Sequence, residues 1–91
     1  MRRSKLEIYI DILEALALYG PLKLTRITYK ANINCGLLKQ ILKEFMENNL
    51  VEERKLKNII VYAVTPKARL IISQFKEVSE NLPMTEELIM E

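Results

Sequence analysis

The sequence predicts a mainly α chain with one small β-hairpin, in the order helix, helix, helix, hairpin, helix. Three features carry this expectation. Apolar residues recur at three-and-four spacing through the first half, the period shortens to that of strands between residues 50 and 64, and Thr65-Pro66 then restarts a helix. With 91 residues and 49% hydrophobic content, the chain has material for one core and none to spare for a second.

In residues 4–19, Leu6, Tyr9, Ile10, Leu13, Leu16 and Ala17 fall on one helical stripe, and Glu7, Asp11 and Glu14 turn away from it. Ser4 with Glu7 three residues on is a capping-box pattern. Gly20-Pro21 stops the helix, because glycine accepts a left-handed cap and proline cannot continue the ladder. Residues 22–24 suit an extended connector or a single rung of edge strand. Thr25 is expected to cap a short second helix to about Ala31, with Ile27 inward and Tyr29 or the stem of Lys30 beside it. Asn32-Ile33-Asn34 is a turn, and Asn34 suits the cap of a third helix to about Asn48. That helix buries Leu38, Ile41, Leu42 and Phe45, leaving Cys35, Gly36, Lys39, Gln40 and Lys43 outward. Asn48-Asn49 ends it in the role glycine usually takes.

Residues 50–55 and 59–64 read as strands, joined by Leu56-Lys57-Asn58 into a hairpin with a basic tip. Thr65 and Pro66 then serve as N-cap and first helical residue of a fourth helix through about Glu80, which Leu82-Pro83 terminates. The domain is expected to span residues 1–80, its last helix (66–80) included, and residues 81–91 to form an acidic tail.

The net charge of +2 conceals an asymmetry. Residues 77–91 carry Glu77, Glu80, Glu86, Glu87 and Glu91 without a Lys or Arg, so residues 1–76 hold 14 basic against 7 acidic groups, a net charge of +7. Residues 16–43 and 54–76 are basic without any acid, which sets up a field attractive to polyanions; a merely solvated face is the plainer alternative. An enzyme is not expected. There is no histidine and no glycine-rich phosphate loop, and the carboxylates are scattered over solvent faces and the tail. The single cysteine, Cys35, has no partner for a disulfide and no histidine with which to hold a metal; at the start of a helix it suits a redox-sensitive thiol or a small neutral filler. No cofactor is implied. Glu7, Asp11 and Glu14 interrupt the first apolar stretch, so no signal peptide or membrane span is read there and a cytoplasmic, nucleoid-associated protein is expected.

A short helix, a tight turn and a helix with a polar, basic outer face, followed by a hairpin, make the arrangement of a winged helix-turn-helix. Asn49-Leu50-Val51-Glu52 entering the hairpin and Tyr62-Ala63-Val64-Thr65-Pro66-Lys67-Ala68 leaving it resemble the wing of archaeal winged-helix regulators. The opening Arg2-Arg3-Ser4-Lys5-Leu6-Glu7-Ile8-Tyr9-Ile10-Asp11-Ile12-Leu13 and the turn Thr28-Tyr29-Lys30-Ala31-Asn32-Ile33-Asn34 are similar to the Sulfolobus ten-kilodalton chromatin-type proteins. That resemblance implies a DNA-binding winged helix followed by a dimerising coiled coil. The chain departs from it in two places: Cys35 and Gly36 stand where the family tends to carry a tyrosine and a basic residue, and Pro83 shortens the final helix.

The expected partner is double-stranded DNA. Helix three would enter the major groove with Lys39, Gln40 and Lys43 nearest the duplex and Asn34 at its N-terminus. Lys55, Lys57 and Asn58 on the wing would reach an adjacent groove or backbone, and Arg2, Arg3, Lys5, Arg26 and Lys30 would lie against phosphates. No arginine lies on helix three, so low or moderate sequence specificity is expected. In the last helix Ile71, Phe75, Val78 and Leu82 repeat at four, three and four, as in a coiled-coil seam, and Leu70 and Ile72 add further apolar surface. Homodimerisation through this helix follows, against the alternative that the stripe packs on helix one. The rival function is a protein-docking winged helix whose acidic tail shields or mimics a partner of the basic face.

Overall fold

The local signals act as their chemistry requires at the start of the chain. The Ser4 hydroxyl accepts from the Glu7 amide at 3.1 Å, and the Ser4 amide donates to Glu7 Oε1 at 2.8 Å. This box opens α1 (Lys5–Tyr19) in the computed structural model, which describes residues 3–81. Gly20 closes the helix at φ 79°, its amide bonded to Leu16 O at 3.0 Å. Then follow β1 (Leu22–Lys23), α2 (Leu24–Ala31), α3 (Cys35–Glu47), β2 (Val51–Leu56), β3 (Ile59–Val64) and α4 (Pro66–Asn81). Arg2, Leu82 and the acidic segment beyond it lie outside the described residues.

The connector at residues 22–24 resolves into a strand. Leu22 and Lys23 pair antiparallel with Tyr62 and Val61, giving a three-stranded sheet of order β1-β3-β2. Starting the strand there moves the start of α2: Lys23 takes the N-cap position without a side-chain bond, and Thr25, expected as the cap, lies inside the helix. Its carbonyl accepts from Thr28 Oγ1 at 2.6 Å. Asn32 ends α2 in the left-handed region at φ 53°, and Asn34 caps α3, its Oδ1 accepting from the Leu37 amide at 2.8 Å.

The hairpin turn is one residue shorter than expected. Leu56 belongs to β2 opposite Ile59, and Lys57-Asn58 alone makes the turn, with Lys57 at φ 55° as two-residue hairpin loops demand at their first position. Thr65 serves two elements: its hydroxyl donates to Asn49 O at 2.7 Å and accepts from the Ala68 amide at 3.2 Å, capping α4 and tying it to the end of α3. Lys67 Nζ donates to Asn48 O at 3.1 Å, supplying a cation where the α3 dipole ends negative.

Ile12, Leu16, Ile27, Leu38 and Leu42 form the fully buried centre of the core, with Val51, Val64, Ala68 and Ile72 completing it from the sheet and α4. The buried side of α1 is broader than one stripe. Ile12 and Ala15 are inside while Leu6 is exposed, because α2, β3 and α4 all pack on this helix. In α4, Ala68 and Ile72 face the core rather than the Ile71 stripe: Ile71 is exposed, Phe75 half-buried, and Leu70 and Val78 are exposed. The alternative that the Ile71 stripe packs on α1 therefore gives way to a different packing pair.

Candidate nucleic-acid interface

The outward face of α3 is set by what its inner face buries. With Leu38, Ile41, Leu42 and Phe45 in the core, residues 36, 39, 40 and 43 align along the opposite side, and Gly36, Lys39, Gln40 and Lys43 are all exposed. The helix is fixed at both ends, by the Asn34 cap and by the Asn48 and Lys67 contacts at its C-terminus. At 13 residues it is about 20 Å long, and its width matches the major groove of B-form DNA.

Gly36 has no steric reason inside the molecule. A methyl group there would meet Asn34 Oδ1 at 3.4 Å, an ordinary contact, and nothing else outside the helix. Gly36→Ala is therefore expected to raise stability by about 0.5–1 kcal/mol, the helix-propensity difference, measured as a higher midpoint in thermal or urea unfolding. No gain in midpoint would mean that the Asn34 cap cannot give way.

Two clefts flank the recognition-type helix. Between α1 and α3, Lys5, Ile8, Tyr9, Leu37, Gln40, Ile41 and Glu44 line a cavity of about 270 Å³, with Lys5 and Gln40 both on its wall. Tyr9 donates a short hydrogen bond to Glu44, stacks edge-on against Phe45 at 5.3 Å and lies under the Lys5 ammonium at 5.7 Å. The bond to Glu44, with burial and the carboxylate charge acting the same way, pushes the Tyr9 phenol up to about 12, so it stays a donor at neutral pH and keeps α1 pinned to α3. Between α2 and the start of α3, Thr25, Thr28, Tyr29, Asn32, Ile33 and Asn34 line an open cleft. Tyr29, one of two residues expected beside Ile27 on the inner side, is 80% exposed there, and the other, Lys30, is exposed as well. The reason was available in the sequence: Ile27 and Ala31, four apart, are the inward pair of α2, which turns residue 29 out. This hydroxyl-rich patch was not anticipated.

The remaining expected residues divide into uncommitted and engaged groups. Arg26, Lys39, Lys43, Lys55, Lys57 and Asn58 are exposed. Lys30 is exposed with its ammonium 4.0 Å from the Tyr19 ring centroid. Arg3 is engaged: it bonds Asp11 Oδ2 and Asn32 O, each at 2.7 Å, clamping α1 to the turn before α3 and spending its charge on a carboxylate. Asn34 has its Oδ1 committed to the cap, which leaves its amide nitrogen for a further partner. Arg54 of β2 and Arg69 of α4 line one recess with Gly20 and Pro21, a non-local juxtaposition that no spacing in the sequence signals. Cys35 is an exposed free thiol. Among the described residues no group of three metal-ligating side chains forms, and no helix is long and apolar enough to cross a membrane.

Solved structures share this architecture. The DNA-binding protein Sso10a-2 of Sulfolobus solfataricus is 26% identical and superposes with a TM-score of 0.71 over 96% of this chain and 93% of its own. The transcriptional regulator BldR from the same organism is 18% identical with a TM-score of 0.75, covering 93% of this chain, which spans 63% of BldR. The homodimeric winged helix-turn-helix DNA-binding domain Mb0332 of Mycobacterium bovis is 17% identical with a TM-score of 0.75, over 89% of this chain and 75% of that one. No curated protein sequence matches. The winged helix-turn-helix family model matches residues 2–82, nearly the whole chain, and the protein belongs to that family.

Proposed function

We propose that this protein binds double-stranded DNA as a transcriptional regulator or chromatin-type protein, with α3 in the major groove and the β2–β3 hairpin as its wing. It acts by binding alone, without catalysis or cofactor, and works on the DNA of the cytoplasm. The observation that carries this reading is the exposed ridge of Gly36, Lys39, Gln40 and Lys43 on a helix whose other side is wholly engaged in the core. Lys5, Arg26, Lys30, Lys55, Lys57 and Asn58 supply phosphate contacts around it, with Arg2 beyond the described residues. Arg3 contributes by holding the turn before α3. The likeness to Sso10a-2 along nearly the full length of both chains supports a relationship to the Sulfolobus ten-kilodalton proteins.

The partner in this reading is also a second copy. Leu70 is 60% and Ile71 36% exposed on α4, beside half-buried Phe75, so the outer side of a helix already packed on its own domain carries unused apolar surface. By sequence spacing Val78 and, beyond the described residues, Leu82 extend the same repeat; in this reading residues 1–80 are the binding domain and carry most of the seam, with 81–91 as an acidic extension. The test is a fluorescence titration of a random-sequence duplex at low salt. Wild type is expected to bind at micromolar concentration or tighter, and the Lys39→Ala, Gln40→Ala, Lys43→Ala triple variant about 100-fold more weakly, three contacts at roughly 1 kcal/mol each. No binding by wild type would overturn the reading in favour of a protein-docking winged helix.

A further inference from the structure

The wing tip carries apolar surface that the fold does not use. The base of the hairpin is buried through Val51, Val61, Ala63 and Val64, but at the far end Leu56 is 54%, Ile59 44% and Ile60 46% exposed. Leu56 and Ile59 are directly opposed in the β2–β3 register, so their side chains stand together on one face next to the Lys57-Asn58 turn. Solvated hairpin ends are normally polar or charged, because exposed apolar strand ends invite aggregation. Charge surrounds this pair without displacing it: Lys55 and Lys57 bracket Leu56, and the nearest acid on β2, Glu53, is turned to Tyr62.

Resting on the DNA-binding reading, we propose that Leu56 and Ile59 form an apolar wedge that enters the minor groove while Lys55 and Lys57 engage the phosphates on either side. The occupant is argued from charge. An apolar pair beside cations matches a groove floored by bases and sugars and walled by phosphates, and residues 54–76, which include the turn and all of β3, carry no acid to oppose a phosphate wall. A groove about 6 Å wide admits the turn and the adjacent pair rather than the whole ribbon, and leucine and isoleucine are among the side chains that open base steps and bend the duplex. The wedge adds affinity that does not depend on salt and deforms the DNA where it enters.

The test uses the full chain, with affinity measured against salt and duplex bending followed by energy transfer between end labels. Leu56→Thr with Ile59→Thr keeps strand propensity and exposed position. It is expected to weaken binding about tenfold, straighten the duplex, and leave the slope of log affinity against log salt unchanged. Lys55→Ala with Lys57→Ala is expected to lower the magnitude of that slope by about 2, since two phosphate contacts are lost. Leu56→Met with Ile59→Val, which keeps the tip apolar, should restore both affinity and bend. Unchanged affinity and bend in the threonine variant, with wild type binding normally, would overturn the wedge and leave DNA binding intact. Loss of self-association in that variant without change on DNA would also overturn it and assign the tip to a second copy. Failure of wild type to bind any duplex would remove both readings.

Discussion

Raising the salt from 50 to 200 mM is expected to weaken binding to a random-sequence duplex by roughly 10³–10⁵-fold, because six to ten phosphate contacts release their condensed counterions. The count comes from the surface. Lys39 and Lys43 on α3, Lys55 and Lys57 on the wing, and Lys5, Arg26 and Lys30 around the helix-turn-helix are exposed, and none of them is in an ion pair within the described chain. Arg3 is left out of the count, since its charge already faces Asp11 at 2.7 Å and an anion would have to compete with that pair. Arg54, 3.5 Å from Glu52, is likewise partly neutralised. A slope corresponding to only one or two contacts would mean that the basic residues do not converge on one duplex. A steep slope with equal affinity for all sequences would fit a binding surface whose α3 offers lysine and glutamine but no arginine.

How much of this was legible in the sequence depends on the range of the interaction concerned. Caps are local, so Ser4 with Glu7, Gly20, Asn34 and Thr65 with Pro66 marked their helix ends correctly. The inner face of α3 followed from its period, and with it the outward position of Lys39, Gln40 and Lys43. Non-local pairing was less visible. An edge strand is one of two readings of residues 22–24, but its partners, Tyr62 and Val61 of β3, were not legible, nor was the way that pairing overrides Thr25 as the better capping residue. The engagement of Arg3 with Asp11 and Asn32 spans up to 29 positions, which no spacing rule reaches. In α4 a seam-like repeat drew attention to Ile71, while burial by α1 and the sheet selected Ala68 and Ile72, one residue round the helix at the second site. The apolar wing tip was hidden for a different reason: Leu56 reads as loop until the turn is known to be Lys57-Asn58.

Leu16→Ala is expected to cost about 3–5 kcal/mol, the price of the lost transfer energy together with a cavity the surrounding helices cannot close. Leu16 is completely buried where α1 meets the rest of the core, and its carbonyl also accepts the Gly20 cap. In a domain whose net stability is of order 5–15 kcal/mol this is a large fraction, visible as a fall of about 15 °C or more in Tm. Leu18→Ala is the matched control, because the same methyl groups are removed from the same helix two residues on, at a side chain that is 74% exposed. Protomer stability should then change by no more than about 0.5 kcal/mol. Leu18 nevertheless lines a groove with Glu14, Ala17, Ile72 and Lys76 between α1 and α4, alongside the helix proposed to carry the dimer seam. If that seam extends across α1, the Leu18 variant should unfold at a lower temperature than wild type at concentrations where wild type is dimeric, and the deficit should vanish on dilution to monomers, since dimer-linked stability follows protein concentration while core stability does not. Equal losses in the two variants would instead mean that α1 is packed differently from the arrangement in which Leu16 faces in and Leu18 faces out.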